Sequence, residues 1–360
     1  MTHRERMKKS FMLEEVDKLP HGEQMIHDQL VAKILHEPLP EDGENALCAW
    51  MKKPLTSVNF SRHLRTRQVL GFDWVHLFPI EPFVEKAADE HSLRKDIWGQ
   101  VIKVTEETFE IVQPAIGSAE EMDSYRFPSV DDFIYTDIIR WANESDFWVT
   151  TQIDTGFFKV AQLVGFENYM IYLATAPERL TRLMERFTSF QEKLVDRLIE
   201  AGAGSIWFSD DHAFNAGPFM SPDMLWDYDF RFLKELVEYV HSKGLIANFH
   251  SCGNIAKTLP LLVKTGINSL HAIQPSAGND LVAYEREFGK NLCFMGNFDM
   301  DLLMPKGSPQ DIDEAVRRMV EAVWAKKRTG YVVATCNMLN NDQPIENALM
   351  LHYAAEKYGR

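Results

Sequence analysis

His250 and Cys252 stand two residues apart in Asn248-Phe249-His250-Ser251-Cys252-Gly253-Asn254, and Cys336 stands far downstream in Ala334-Thr335-Cys336-Asn337. An imidazole and two thiols are donor types that suit zinc better than magnesium or calcium. Three protein donors leave a fourth position for substrate or water, as a catalytic zinc requires and a structural zinc does not. Taken singly, a histidine or cysteine at the end of an apolar run is more often structural than a ligand. The tandem His-x-Cys with a third thiol in a similar setting makes metal chemistry the first hypothesis. The remaining two of the four cysteines, Cys48 and Cys293, lie in apolar patches and read as core.

Acidic and polar residues recur in the same kind of position. Ser209-Asp210-Asp211-His212 follows the apolar Ile206-Trp207-Phe208. Adjacent carboxylates there are costly unless they are wet, paired or bound to something. Asp210 and Asp211 are therefore candidate catalytic groups, with capping of the next segment as the plainer role for Asp211. Glu81, Asp154, His271, Gln274 and Asn297 also end apolar runs and are candidate substrate-binding residues. Phe214, Phe219, Met220 and Trp226 could wall a flat ligand, although helix packing explains them equally well.

Short apolar runs at 74–79, 147–153, 205–209, 245–250, 269–273, 292–296 and 331–335 read as strands. Amphipathic segments fill the intervals. The clearest covers 177–201, where Leu180, Leu183, Met184, Phe187, Phe190, Leu194 and Leu198 recur at spacings of three and four. Ser221-Pro222 and Ser308-Pro309 open two further helices, with serine as N-cap and proline at the first helical position. Gly244 closes the first of these.

Alternating strands and helices imply a parallel α/β sheet. Seven visible strands suit a (β/α)8 TIM barrel with one faint strand, and a doubly wound sheet is the alternative. No Gly-x-Gly-x-x-Gly or phosphate-loop lysine motif supports the latter. Residues 1–65 read as an N-terminal helical extension, with helices at 25–35 and 45–52, and residues 66–360 as the barrel. An insertion over about 90–135 reads as a small β-hairpin, with strands at 96–102 and 108–112.

In such barrels active sites gather at the C-terminal ends of the strands. Alternate residues of a strand share a side, so His250 and Cys252 can converge. Cys336 would join them from the last strand, which meets the first.

The 360 residues are 45% hydrophobic and carry a net charge of −15. An acidic chain lacks the basic face that nucleic acid requires. No apolar stretch approaches the roughly 20 residues of a membrane span, and the N-terminus lacks the apolar core of a signal peptide. Few cysteines without a disulfide spacing suit a cytoplasmic protein.

Several motifs together resemble the uroporphyrinogen decarboxylase superfamily. They are Ile206-Trp207-Phe208-Ser209-Asp210-Asp211 followed by Gly217-Pro218-Phe219-Met220-Ser221-Pro222, His250-Ser251-Cys252-Gly253-Asn254, Gln274-Pro275, Gly296-Asn297-Phe298-Asp299 and Pro344-Ile345-Glu346-Asn347. Ile97-Trp98-Gly99 and Tyr125-Arg126-Phe127-Pro128 fit its early insertion. The resemblance implies a (β/α)8 barrel and one of two activities. Metal-free decarboxylases hold substrate carboxylates with an arginine-rich N-terminal motif, which Arg62, Arg65 and Arg67 do not reproduce. The other branch, zinc-dependent methyltransferases, works with corrinoid (cobalamin) proteins. Its ligands are a His-x-Cys and a cysteine near the last strand, matching His250, Cys252 and Cys336. The resemblance thus implies zinc as cofactor, a corrinoid protein as partner and a small-molecule methyl donor or acceptor. An acid such as Asp210 or Glu81 would complete the zinc sphere. A methyl-ether donor is favoured over the reverse transfer to a thiol, and a homodimer is allowed.

Overall fold

The computed structural model describes residues 1–40, 52–86, 93–104 and 109–360. Seven parallel strands form one sheet in chain order. They are β1 (Trp74–Leu77), β2 (Trp148–Asp154), β3 (Ser205–Ser209), β4 (Ile246–Ser251), β5 (Ser269–Ala272), β6 (Cys293–Met295) and β7 (Tyr331–Val332). Each overlaps a run expected from the sequence. Parallel neighbours need a crossover connection, and helices Thr136–Glu144, Pro177–Glu200, Arg231–Ser242, Leu259–Thr265, Leu281–Phe288 and Pro309–Val323 occupy the successive intervals. Pro177–Glu200 buries the predicted stripe, including Leu180, Leu183, Phe187, Leu194 and Leu198. Each such side chain contributes about 1.5–3 kcal/mol when fully buried.

The eighth position of the ring comes from the N-terminal region. Residues 20–26 lie between β7 and the start of β1. The Gly22 N–H donates to the Val333 carbonyl (3.1 Å), the Val333 N–H to the Pro20 carbonyl (3.0 Å), and the Asp73 N–H to the His21 carbonyl (3.0 Å). Parallel bridges pair His21 with Val333 and Ile26 with Leu339. The expected helix over 25–35 starts only at Asp28, because Met25 and Ile26 are spent in this extended segment. The sequence carried no strand signal here, since the segment pairs through isolated bridges and has no apolar alternation.

The interior of the ring is filled by Trp74, Trp148, Trp207, Cys293, Met295 and Val332, together with Met7 and Phe11. Met7 and Phe11 come from helix His3–Phe11, whose Thr2/Glu5 capping box fixes its start. Cys293 is core as expected, being wholly buried. Cys48 and residues 45–51 of the second expected helix lie outside the described residues.

Two elements differ from expectation. The insertion after β1 is a four-stranded antiparallel sheet, Phe83–Lys86, Leu93–Asp96, Val101–Val104 and Phe109–Gln113, rather than a two-stranded hairpin. Residues 97–100, expected inside a strand, form its turn. Asp96 accepts from the Trp98 and Gln100 N–H groups, and Gly99 adopts φ +88°. The helix opened by Ser221 is interrupted by a π-helical turn at Trp226–Phe230 before Arg231–Ser242.

A titration of stability follows from β1. His76 is buried with Nε2 2.9 Å from Gln152 Oε1, and burial pushes its pKa down to about 3. Unfolded histidine titrates near about 6.5. Between these values the unfolded chain binds the extra proton, so the contribution present above the unfolded pKa is lost as pH falls. We expect urea-unfolding stability to decline below about pH 6.5, and His76→Gln to flatten that decline by about 1.4 kcal/mol per pH unit. Equal slopes in the two proteins would count against the assignment.

Candidate metal centre and its pocket

His250 is the fifth residue of β4, paired with Ser209 of β3 and His271 of β5. Cys252 follows the strand's last residue. Strand alternation turns both toward the barrel mouth, and Cys252 Sγ lies 3.5 Å from His250 Nε2. The next residue, Gly253, has φ +79°, and a Cβ there would stand 2.2 Å from the Ala213 carbonyl oxygen, so only glycine lets the loop pack so closely. Asp211, beyond β3, accepts the Cys252 N–H through Oδ1 at 2.8 Å, and that oxygen is 3.8 Å from His250 Nε2. Donor atoms of Asp211, His250 and Cys252 all lie within 4.8 Å of one another. His250 is buried, whereas the Asp211 side chain is 43% exposed, so the group opens toward solvent on the carboxylate side.

The protonation of His250 follows from its neighbours. His271 Nε2 stands 2.8 Å from the Thr335 carbonyl, which can only accept, so this nitrogen carries the proton. Burial, and next the adjacent His250, hold the His271 pKa well below its ordinary value, so the ring is neutral and its Nδ1 is bare. That Nδ1 lies 2.7 Å from His250 Nδ1, which must therefore donate. The His250 Nε2 lone pair is left facing Cys252 and Asp211. This is how ligand histidines are oriented by outer partners.

Cys336 lies nearby but outside the three-residue group. It is buried, and its Sγ donates to the Phe298 carbonyl at 3.1 Å. Burial, and next Cys252, push its thiol well above the usual range, while burial and Asp211 do the same to Cys252. Two crowded neutral thiols and a bare imidazole nitrogen beside a carboxylate are a donor set that fits a divalent cation, which favours thiolates.

The two adjacent acids have different partners. Asp210 is wholly buried, accepts the Thr155 hydroxyl at 2.6 Å, and faces Asp229 of the π-helical turn. Burial and that like charge push it well up, so the pair retains a proton. Asp210 is thus not brought into the donor group, whereas Asp211 is. Glu81 and Asp154 line a cavity of about 300 Å³ that also reaches Asp211, His250 and Cys252. Gln274 and Asn297 do not line it. Gln274 Oε1 accepts the Gly253 N–H at 3.2 Å, and Asn297 Nδ2 donates to the Ile273 carbonyl at 2.7 Å, so both brace loops.

Sequence inspection missed the cavity's cations. Lys159 Nζ is 3.1 Å from Asp154 Oδ2 and 3.7 Å from Glu81 Oε1, and Lys52 Nζ is 3.4 Å from Glu81 Oε2. Burial would lower Lys159 and raise Glu81. The opposite charges outweigh it, holding Lys159 up and Glu81 down. Asp154 remains raised by burial despite Lys159. A signal existed, because Lys159 is the sole charge in the largely apolar helix Gly156–Val164. Of the suggested ligand walls, Met220 is core and Trp226 lies under Lys264. Phe214 and Phe219 pack edge-on at 4.1 Å in an apolar groove of about 480 Å³ that adjoins Asp211.

These features define a (β/α)8-type protein with a candidate metal centre at the C-terminal mouth of its barrel. The chain belongs to the uroporphyrinogen decarboxylase (URO-D) family, whose profile matches residues 102–358. It is 23% identical over 169 residues to the methylcobamide:CoM methyltransferase MtbA of Methanosarcina acetivorans, covering 46% of this chain and 47% of the relative. It is 22% identical over 172 residues to MtbA of Methanosarcina mazei, covering 46% and 48%. The chain thus spans about half the length of the curated relatives it matches. A solved methyltransferase from Methanosarcina mazei shares the fold at TM-score 0.76 and 16% identity over 99% of both chains. A B12-independent methionine synthase from Shewanella sp. W3-18-1 shares it at TM-score 0.50 and 12% identity, covering 94% and 97%.

The geometry separates the acids experimentally. In equilibrium zinc binding, Asp211→Asn should weaken affinity tenfold or more, about 1.4 kcal/mol, while Asp210→Asn leaves it unchanged. The reverse order would place the wrong carboxylate at the centre.

Proposed function

We propose that this chain is a zinc-dependent cytoplasmic methyltransferase. It moves a methyl group from a small methyl ether to the corrinoid of a separate carrier protein. The observation that carries this is the His250–Cys252–Asp211 donor group opening onto the 300 Å³ cavity. His250 Nε2, Cys252 Sγ and Asp211 would hold the zinc, with Cys336 available as a further donor. When bound, the metal supplies a Lewis acid for the ether oxygen.

The chain's own residues do the rest. Phe78, Phe109, Ile111 and Phe158 wall the donor and exclude water. Glu81, Asp154, Lys52 and Lys159 give the cavity a polar end that receives the donor's polar substituent. The methyl leaves without the C–O bonding pair, which stays on oxygen and takes up a proton. The reduced corrinoid supplies the electron pair of the new bond.

The groove holding Phe166, Phe214 and Phe219 shares Phe158, Gln162 and Asp211 with the cavity. Phe214 is 61% exposed. A corrinoid presented there has a direct path to the centre, and the flat apolar walls suit its ring.

The names of the curated relatives favour a second reading, transfer from methylcobamide to a thiol, with the thiol held at the same centre. A metal-free decarboxylase is disfavoured. Arg62 and Arg65 pair with Glu37, Arg67 is buried against Trp141, and no arginine is among the described residues lining the cavity.

The test is a two-direction assay on zinc-loaded protein. Methyl ethers are supplied with reduced cobalamin, and thiols with methylcobalamin, and the corrinoid spectrum is followed. Methylcobalamin should form in the ether arm and disappear when zinc is chelated. Turnover only in the thiol arm would transfer the assignment to the second reading, and chelator-insensitive turnover would reject the zinc role. Separately, Phe214→Ala should raise the KM for cobalamin about tenfold, about 1.4 kcal/mol, with zinc content unaltered.

A further inference from the structure

We infer that Glu23 is a positioning residue for the metal centre, acting through Thr335 on both His250 and Cys336. The inference rests on the reading of that centre as a metal site. No sequence signal singles out Glu23, and it belongs to neither the centre nor its cavity.

Thr335 is the junction. Its carbonyl accepts from His271 Nε2 at 2.8 Å, and His271 in turn fixes which nitrogen of His250 is bare. Its other backbone group, the N–H, donates to both Glu23 oxygens at 3.1 and 3.2 Å, and its hydroxyl donates to Glu23 Oε2. The next residue along the chain is Cys336. One carboxylate therefore fixes Thr335 by its N–H and hydroxyl, and with it the residue that precedes the third candidate ligand and whose carbonyl orients the first.

Glu23 is itself wholly buried. A buried carboxylate is retained only where several donors satisfy it. Thr335 supplies both its N–H and its hydroxyl, and His352 Nε2 lies 3.2 Å from Oε1 without hydrogen-bond alignment. Its backbone is set by the ring closure, between the Gly22–Val333 bond and the His27 N–H donating to the Leu339 carbonyl at 2.9 Å. On the far side of the relay, Gly296 has φ +91°, and a Cβ there would stand 2.7 Å from the Ala272 carbonyl and 3.2 Å from His271 Nε2. The His271 ring thus lies against Gly296 on one side and is held by the Thr335 carbonyl on the other, so a side chain at 296 would press on it.

The experiment loads the full-length chain with cobalt(II) in place of zinc. It measures affinity by chelator competition and counts thiolate ligands from the sulfur-to-cobalt charge-transfer absorption. Glu23→Ala should weaken affinity by about 10–100-fold, the usual effect of losing a residue that orients a ligand, and reduce the absorption per cobalt as Cys336 is lost. Glu23→Gln, which keeps an acceptor for the Thr335 N–H, should restore most of both. Gly296→Ala, which disturbs His271 without touching Glu23, should weaken affinity while leaving the thiolate absorption intact. Should Glu23→Ala fail to fold, Thr335→Val, which removes only the hydroxyl donated to Glu23, should weaken affinity in the same direction by a smaller factor. A Glu23→Ala or Thr335→Val protein that matches wild type in affinity and spectrum overturns the inference alone. A wild-type chain that binds neither zinc nor cobalt overturns the metal reading, and the inference with it.

Discussion

The hydrogen bond from His271 to the Thr335 carbonyl governs the chemistry of the barrel mouth. A carbonyl cannot donate, so the bond commits one His271 nitrogen to a proton and leaves the other bare. That bare nitrogen accepts a hydrogen bond from His250 Nδ1–H, and the remaining lone pair of His250 faces Cys252 and Asp211. Without this constraint the same three side chains could sit equally close with the wrong tautomer. Burial keeps both rings neutral, since a charged imidazole there would lose its hydration.

The bond in turn depends on how the ring is closed. β7 is only two residues long in regular pairing, and beyond it the chain is held by residues 20–26. A strand end with unsatisfied N–H and C=O groups would be free to shift. The N-terminal segment satisfies them, and its Glu23 takes the Thr335 N–H. Structure far from the mouth in sequence is therefore part of the mouth's geometry.

The cavity beside the centre shows the opposite electrostatic design. Lys52 and Lys159 are matched by Glu81 and Asp154 in a part-buried network, with the Lys159 ammonium also 4.6 Å from the Trp98 ring centroid. Buried charges persist when paired. The paired network leaves polar groups in place without a large uncompensated field, while the aromatic side of the cavity remains apolar. Much of that side comes from the four-stranded insertion, through Ile102, Phe109 and Ile111.

The sequence by itself determined the repeating strand–helix order, the positions of all seven strands and the pairing of His250 with Cys252, because these depend on local periodicity. Apolar runs and helical spacing are properties of neighbouring residues, and a His-x-Cys on a strand converges by alternation alone. The tertiary structure decided what depends on distant partners. It chose Asp211 over Asp210, since one meets the Cys252 N–H across the sheet while the other meets Asp229 across a π-helical turn. It placed Cys336 beside the centre but bonded to Phe298, turned an expected hairpin into four strands, and removed Gln274 and Asn297 to loop bracing. It also brought Lys159 to the cavity and Glu23 against Thr335. Each of these outcomes is a contact between residues far apart in the chain or on different elements, and such contacts leave no periodic trace in the sequence.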